Sequence, residues 1–208
     1  MPSILRSLLL LLPVALVGCP TTPTDDDDSG DDDDAAPVDF AFWSSAFEDG
    51  GTLPQEYECV NPNPELIWEG VPEGTVGLAL VFDDPTAGNF PHWAIYNMDP
   101  ASTGIPAGAS GNADCGPDRG GLPDGSDELR NGFGWTGYLG SCGGCGGGGG
   151  PNTYRWRLWA VDTEIDLPAG SSFDDLADAA EAGSIEMLQF GHQYGPATPA
   201  GCGGACAD

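Results

Sequence analysis

The chain has 208 residues, with 33 Asp and Glu against 5 Arg and no Lys, for a formal net charge of −28. A surface so acidic repels DNA, RNA and anionic lipid head groups, which excludes nucleic acid as a partner. Seven cysteines in a chain of this size point to an oxidising compartment, where an even set can pair.

The N-terminus sets that compartment. Arg6 precedes an apolar run from Leu8 to Val17 that ends in Leu16-Val17-Gly18-Cys19. About ten apolar residues are too few for the roughly twenty of a membrane-crossing helix, so residues 1–18 read as a signal peptide closed by a lipobox. Cleavage ahead of Cys19 is expected to leave that cysteine as a lipidated N-terminus, held on a membrane surface by its acyl chains. An ordinary cleaved signal with a spare cysteine is the competing reading. Pro20, rather than Asp, after the anchor favours the outer membrane of a diderm host. The expected location is therefore exported and lipid-anchored, at the bacterial outer membrane or cell surface.

Residues 19–36 carry Asp25 to Asp28 and Asp31 to Asp34. Eight carboxylates with nothing apolar to bury repel one another, which predicts an extended, solvated tether. The run lacks the alternating ligand spacing of a calcium loop. Residues 37–208 remain, long enough for one domain with a core, and they hold 25 of the carboxylates and four of the arginines.

Strand patterns dominate this domain. Val76 to Phe82 and Pro91 to Met98 are apolar runs closed by Asp83-Asp84-Pro85 and Asp99-Pro100, the length and punctuation of buried strands. From Thr153 to Val161 the residues alternate, with Tyr154, Trp156, Leu158 and Ala160 on one face and a wetter face opposite. Residues 101–152 are rich in Gly and Pro and read as loop. A single helix is predicted, capped by Ser172, with Asp174 and Asp175 at its positive end, an apolar stripe of Phe173, Leu176, Ala177 and Ala180, and a stop at Gly183. A last strand follows from Ile185 to Phe190. The fold class expected is mainly β: an antiparallel two-sheet Greek-key sandwich with one short C-terminal helix.

With Cys19 acylated, Cys59, Cys115, Cys142, Cys145, Cys202 and Cys206 are the disulfide candidates. Their pairing stays open; Cys202 with Cys206 is the local possibility. Cys142-Gly-Gly-Cys145 with Cys202 and Cys206 also has the spacing of a zinc site or a redox pair, both weaker readings in an oxidising compartment.

Several segments, in order, resemble the bacterial, Raf-kinase-inhibitor-like branch of the phosphatidylethanolamine-binding protein family. They are Ser45-Ala46-Phe47-Glu48-Asp49-Gly50-Gly51, Pro64-Glu65-Leu66-Ile67-Trp68, Asp83-Asp84-Pro85-Thr86-Ala87, His92-Trp93-Ala94-Ile95-Tyr96-Asn97, Arg130-Asn131-Gly132-Phe133-Gly134 and Gly137-Tyr138-Leu139-Gly140. The resemblance runs from residue 44 to about 194. It implies two antiparallel sheets and a shallow anion pocket at one end, with Asp84, Ala87, His92, Tyr138, Gly140, Tyr154 and Tyr194 as its ligand-binding residues. Asp84 beside His92 is expected to raise the imidazole's pKa and make it a cation. The bare amides of the glycine-rich loop are expected to approach the anion. His192 reads as a surface or rim residue. The chain departs from the family pattern at Thr86, Gly88, Ser141, Gly143 and Gly144, and at Asn152, where the family has a histidine.

The function expected is non-enzymatic binding of a small anion such as a phosphorylated head group. Further partners are the membrane, through the lipid anchor, and a protein that the same surface inhibits or regulates. A structural lipoprotein with an idle pocket is the alternative. A hydrolase using His92 as base is the weakest reading, because the chain has neither G-x-S-x-G nor H-E-x-x-H. No cofactor and no metal is expected.

Overall fold

The computed structural model describes residues 37–111, 120–142 and 152–194. The expected signal peptide, Cys19, the expected acidic tether, Gly143, Gly144, Cys115, Cys145, Cys202 and Cys206 lie outside the described residues.

Leu78 to Phe82 form the centre of a strand that is buried at every position, as an uninterrupted apolar run requires when both sheet faces are covered. In chain order the strands are β1 (Ala41–Ser44), β2 (Gly51–Thr52), β3 (Leu66–Glu69), β4 (Gly77–Asp84), β5 (Phe90–Met98), β6 (Gly104–Ile105), β7 (Asp127–Glu128), β8 (Asn152–Val161) and β9 (Ser184–Tyr194), with helix α1 (Phe173–Ala182) before β9. They make a three-stranded sheet, β1-β3-β6, and a six-stranded sheet, β2-β9-β8-β4-β5-β7. The pairings are antiparallel except β2 with β9, which run parallel from Gly51 opposite His192.

The two sheets share a core in which Leu66, Trp68 and Ile105 meet Leu78, Leu80, Phe82, Trp156 and Leu158. On the other face of the large sheet, Ala79, Val81, Ala94, Trp159 and Val161 pack under Phe173, Leu176 and Ala180 of α1. The helix explains one difference from the alternation in β8. Trp159 and Val161 sit on the face expected to be wetter, yet α1 covers them, and only Thr153, Arg155 and Arg157 on that face keep solvent contact. The helix begins at a capping box in which the Asp175 N–H donates to Ser172 Oγ at 3.1 Å and the Ser172 N–H to Asp175 Oδ2 at 2.7 Å.

Alternation along β4 separates two adjacent acids. Leu78, Leu80, Phe82 and Asp84 follow one face, toward the three-stranded sheet; Ala79, Val81 and Asp83 follow the other. Asp83 is held there by Arg155 and Arg157, each at 2.7 Å. Asp84 therefore ends the strand at the rim between the sheets, where the cavity opens.

Candidate functional site

A bulge places the histidine. β4 advances one residue from Phe82 to Asp83 while its partner β5 advances two, from Trp93 to Pro91, so His92 is the extra residue. Bulges re-aim side chains. Here Trp93 packs in the inter-sheet core and His92 turns to the same side, against Phe82, Phe90 and Tyr154.

The His92 ring then meets the segment after Tyr138. Its Nδ1–H donates to the Leu139 carbonyl at 2.9 Å, and the Leu139 N–H donates to the His92 carbonyl at 3.1 Å. Gly140 continues the contact, its N–H donating to the Cys59 carbonyl at 2.7 Å, and the Cys59 N–H donates to the Ser141 carbonyl at 3.2 Å. Glycine is required at 140, because a Cβ there would lie 2.1 Å from the Tyr57 carbonyl oxygen. A disulfide between Cys59 and Cys142 closes this seam across 83 residues of sequence.

Asp84 caps the 3₁₀ turn Pro85–Ala87. Its Oδ1 accepts from the Thr86 N–H at 2.9 Å, the Ala87 N–H at 3.2 Å and the Thr86 hydroxyl; Oδ2 accepts from Asn152 Nδ2 at 2.7 Å. Thr86 thus stabilises the carboxylate that a second Asp would repel. Gly88 ends the turn at φ +72°, a left-handed conformation that proline's ring forbids, so the departure from the family's proline is built into this turn.

Together these residues enclose a cavity of about 120 Å³. Asp84, His92, Asn152 and Tyr154 form its polar end, Ala87, Phe90, Phe133 and Leu139 its apolar side, and Gly140 and Cys142 the seam between them. Five of the seven expected ligand-binding residues, Asp84, Ala87, His92, Gly140 and Tyr154, line it. Tyr138 does not: it is buried with its ring stacked on Phe82, and its hydroxyl donates to the Tyr57 carbonyl at 2.8 Å. Tyr194 is buried at the end of β9, opposite Asn152 in the ladder, and is not among the residues that line the cavity. Phe90, Phe133, Leu139, Cys142 and Asn152 also line it and are absent from the expected ligand-binding set. The signal for Asn152 was present, since it stands two before Tyr154 on the same strand and shares its face.

Three expectations about the chemistry are corrected. His92 is not a cation made by Asp84: burial pushes its pKa down to about 4, and the Leu139 hydrogen bond and the nearby Asp84 charge recover only part of the loss. In the glycine-rich loop the amides of Leu139 and Gly140 are not bare, because both donate within the seam, while residues 143–150 lie outside the described residues. His192 is fully buried, not at the surface or rim. β9 runs past Phe190, so His192 falls on the same inner face as Phe190 and Tyr194 and stacks on Tyr154 at 4.9 Å. Burial and the neighbouring His92 lower its pKa to about 3.

His192 has a defined tautomer. Trp156 Nε1 can only donate, and it does so to His192 Nδ1 at 3.0 Å, which leaves the ring hydrogen on Nε2, 2.6 Å from Ser141 Oγ. The Tyr154 phenol completes the group. Burial, with Asp84 close by, pushes its pKa up to about 12, against the opposing pull of the nearby polar groups of Asn152, Ser141 and the Cys142 backbone. Among the described residues, no group of three or more His, Cys, Asp or Glu side chains converges as a metal site.

Residues 43–195 match the family model described as phosphatidylethanolamine-binding protein. The chain is similar to a UPF0098 protein of Methanothermobacter thermautotrophicus, 39% identical over 65% of this chain and 85% of the relative. It is also similar to LppC of Mycobacterium tuberculosis, a protein named as a lipoprotein, 34% identical over 76% of this chain and 72% of that one. The crystal structure of Escherichia coli YbcL, described as a new member of the mammalian PEBP family, superposes with a TM-score of 0.66 at 28% identity, covering 76% of this chain and 99% of YbcL. On its sequence, its two-sheet fold and these matches, the chain belongs to the phosphatidylethanolamine-binding protein family.

Proposed function

We propose that this protein is a membrane-anchored, extracytoplasmic binding protein whose cavity takes a small phosphoryl-type anion together with a proton. One observation carries the reading: Leu139 engages His92 Nδ1–H, which leaves Nε2 as the ring's remaining polar atom on the wall of a cavity that also holds the Asp84 carboxylate. With that carboxylate present and the imidazole neutral near pH 7, a fully ionised anion meets repulsion. An anion that keeps a hydrogen, or whose charge draws a proton onto Nε2, meets a donor–acceptor match. The apolar side formed by Phe90, Phe133 and Leu139 suits an organic substituent on the phosphoryl group.

The lipobox at Cys19 and the similarity to LppC support the anchor. Replacing Cys19 with Ala is expected to move the protein from the membrane fraction to the soluble fraction. Retention of the variant on membranes would refute anchoring. Regulation of a partner protein belongs to this reading as a consequence of ligand occupancy at the rim.

A hydrolase is the second reading, because Ser141 and His192 stand 2.6 Å apart, the separation of a nucleophile and its base. The pair is wired the wrong way. A catalytic histidine offers a bare nitrogen to the hydroxyl and receives orientation from a carboxylate acceptor. His192 gives its Nε2–H to Ser141 and is oriented by a donor, Trp156. Both side chains are also fully buried. The protein is accordingly read as a binder and not an enzyme. A fluorophosphonate probe is expected to leave Ser141 unlabelled, and labelling that depends on His192 would reverse this. Binding itself is tested by titrating the full chain with inorganic phosphate in a calorimeter at pH 5 and pH 7.5, with tighter binding expected at pH 5.

A further inference from the structure

We propose that the Cys59–Cys142 disulfide is a thiol-exchange site reached through the cavity, at which a small uncharged thiol attacks Cys142 and expels Cys59. The exchange uses the cavity as a route to sulfur and does not require that phosphate bind there.

The two sulfurs are bonded to each other but differ in access. Cys142 is half-buried and stands on the cavity wall, whereas Cys59 is only 9% exposed and is not among the residues that line the cavity. A thiolate cuts a disulfide by approaching one of its sulfurs directly, so access selects the sulfur that is attacked. A cavity of about 120 Å³, below the range of drug-sized sites, admits a small thiol and excludes a folded protein domain. Asp84 lies on the same wall, and none of the described residues there is a cation, so an uncharged thiol enters with less repulsion than an anionic one.

Cys59 is suited to be the sulfur that leaves. It sits at φ +56°, a left-handed conformation that persists in a residue with a Cβ only where surrounding contacts enforce it. Opening the disulfide removes one of those contacts. Two remain, because the Cys59 N–H donates to the Ser141 carbonyl and the Cys59 carbonyl accepts from Gly140, so the backbone stays in place. The Cys59 Sγ lies 4.0 Å from the same Ser141 carbonyl oxygen, which offers an acceptor for the hydrogen of the new thiol.

The step balances without an oxidant. The small thiol gives up its proton, and its sulfur bonds to Cys142 Sγ as the Cys59–Cys142 bond breaks. The bonding pair leaves on Cys59, which takes a proton in turn. The products are a mixed disulfide at Cys142 and a thiol at Cys59, with the cross-link over 83 residues undone. The segment from Leu139 to Cys142, whose Leu139 carbonyl engages His92 Nδ1, is then held by hydrogen bonds alone. The wall of the cavity thereby answers to the thiol content of its surroundings.

The test exposes the full chain to millimolar 2-mercaptoethanol, quenches early with iodoacetamide and maps each cysteine by mass spectrometry. Alkylated Cys59 with Cys142 still in a disulfide is expected to exceed the reverse pattern by about tenfold. Equal amounts, an excess of the reverse pattern, or a disulfide that resists the thiol altogether overturns the proposal. The rate is expected to be flat in urea below the unfolding transition; a rate that climbs with the unfolded population shows that only the unfolded chain reacts, and overturns it as well. Phe133 lines the cavity with about half of its surface in solvent, so Phe133→Ala lowers the wall at the mouth. That variant is expected to exchange about threefold faster, and an unchanged rate overturns the route through the cavity.

Discussion

Asn152 joins Asp84 across the polar end of the cavity, its Nδ2 donating to the carboxylate Oδ2 at 2.7 Å. Among the described residues the carboxylate is thereby satisfied by neutral donors alone, and none of those that line the cavity is a cation near neutral pH. Asn152 stands where the family pattern has a histidine, so Asn152→His would place a titratable ring on the same carboxylate. We expect that variant to bind inorganic phosphate about tenfold tighter at pH 6, with the gain vanishing above pH 8 as the new ring loses its proton. Calorimetric titration at the two pH values checks it, and an unchanged affinity at pH 6 would contradict the role given to Asp84.

Two neutral buried histidines tie stability to pH. His92 is held to about 4 and His192 to about 3 in the folded chain, while both titrate near 6.5 when unfolded. As pH falls through 6.5 the unfolded chain takes up protons first, which favours it. Stability contributed by the neutral rings is therefore complete above about pH 6.5, and is lost by up to about 1.4 kcal/mol per pH unit for each ring toward pH 4. For His192 the loss continues to about pH 3. Urea midpoints between pH 4 and pH 7.5 should fall accordingly, and His192→Gln should flatten the curve.

Much of this fold was legible because it is local. The unbroken run Leu78 to Phe82, the alternation through Trp156 and the cap at Ser172 each follow from a period or a single residue type, and the structure has them within a residue or two. The cavity was legible as a set of segments, and Asp84, His92 and Tyr154 do meet. Their protonation was not, because sequence spacing puts Asp84 near His92 but says nothing of burial, and burial outweighs the carboxylate. Tyr138 shows the same limit: its hydroxyl finds a backbone acceptor at Tyr57 that only three-dimensional packing supplies. His192 was misplaced because β9 extends past Gly191 to pair with β2 and β8, a partnership absent from its own pattern.

The disulfide between Cys59 and Cys142 illustrates a contact that spacing could not select, since its ends are 83 residues apart. Closing a loop of that length stabilises by about 4.5 kcal/mol in the chain-entropy account, with measured values more often about 2 to 4. Reduction, or Cys59→Ser with Cys142→Ser, should lower the urea midpoint by a corresponding amount. It should also loosen the seam at Gly140 and Leu139 and admit water to His92; relief of burial, the largest cause of the shift, outweighs the loss of the Leu139 hydrogen bond that holds the pKa up, so the His92 pKa should climb from about 4 toward its ordinary value. A seam independent of the disulfide would leave the histidine unmoved.

Opposite faces of β4 separate stability from binding. Asp83→Asn leaves Arg155 and Arg157 without their shared carboxylate and is expected to cost about 3 kcal/mol, the low end of the range for breaking a buried pair because Arg155 keeps solvent contact. Phosphate affinity should stay within about twofold, because Asp83 faces away from the cavity. Denaturation and phosphate titration of the same sample check both halves.

The most direct measurement of the central claim follows the His92 ring by ¹⁵N NMR at pH 6 while inorganic phosphate is added to the full chain. The account predicts a neutral ring before addition and an Nε2 resonance that moves as the cavity fills, because Nε2 either takes a proton or accepts the hydrogen that the anion keeps. A ring already charged without phosphate, or an Nε2 resonance unmoved at millimolar phosphate, would contradict it.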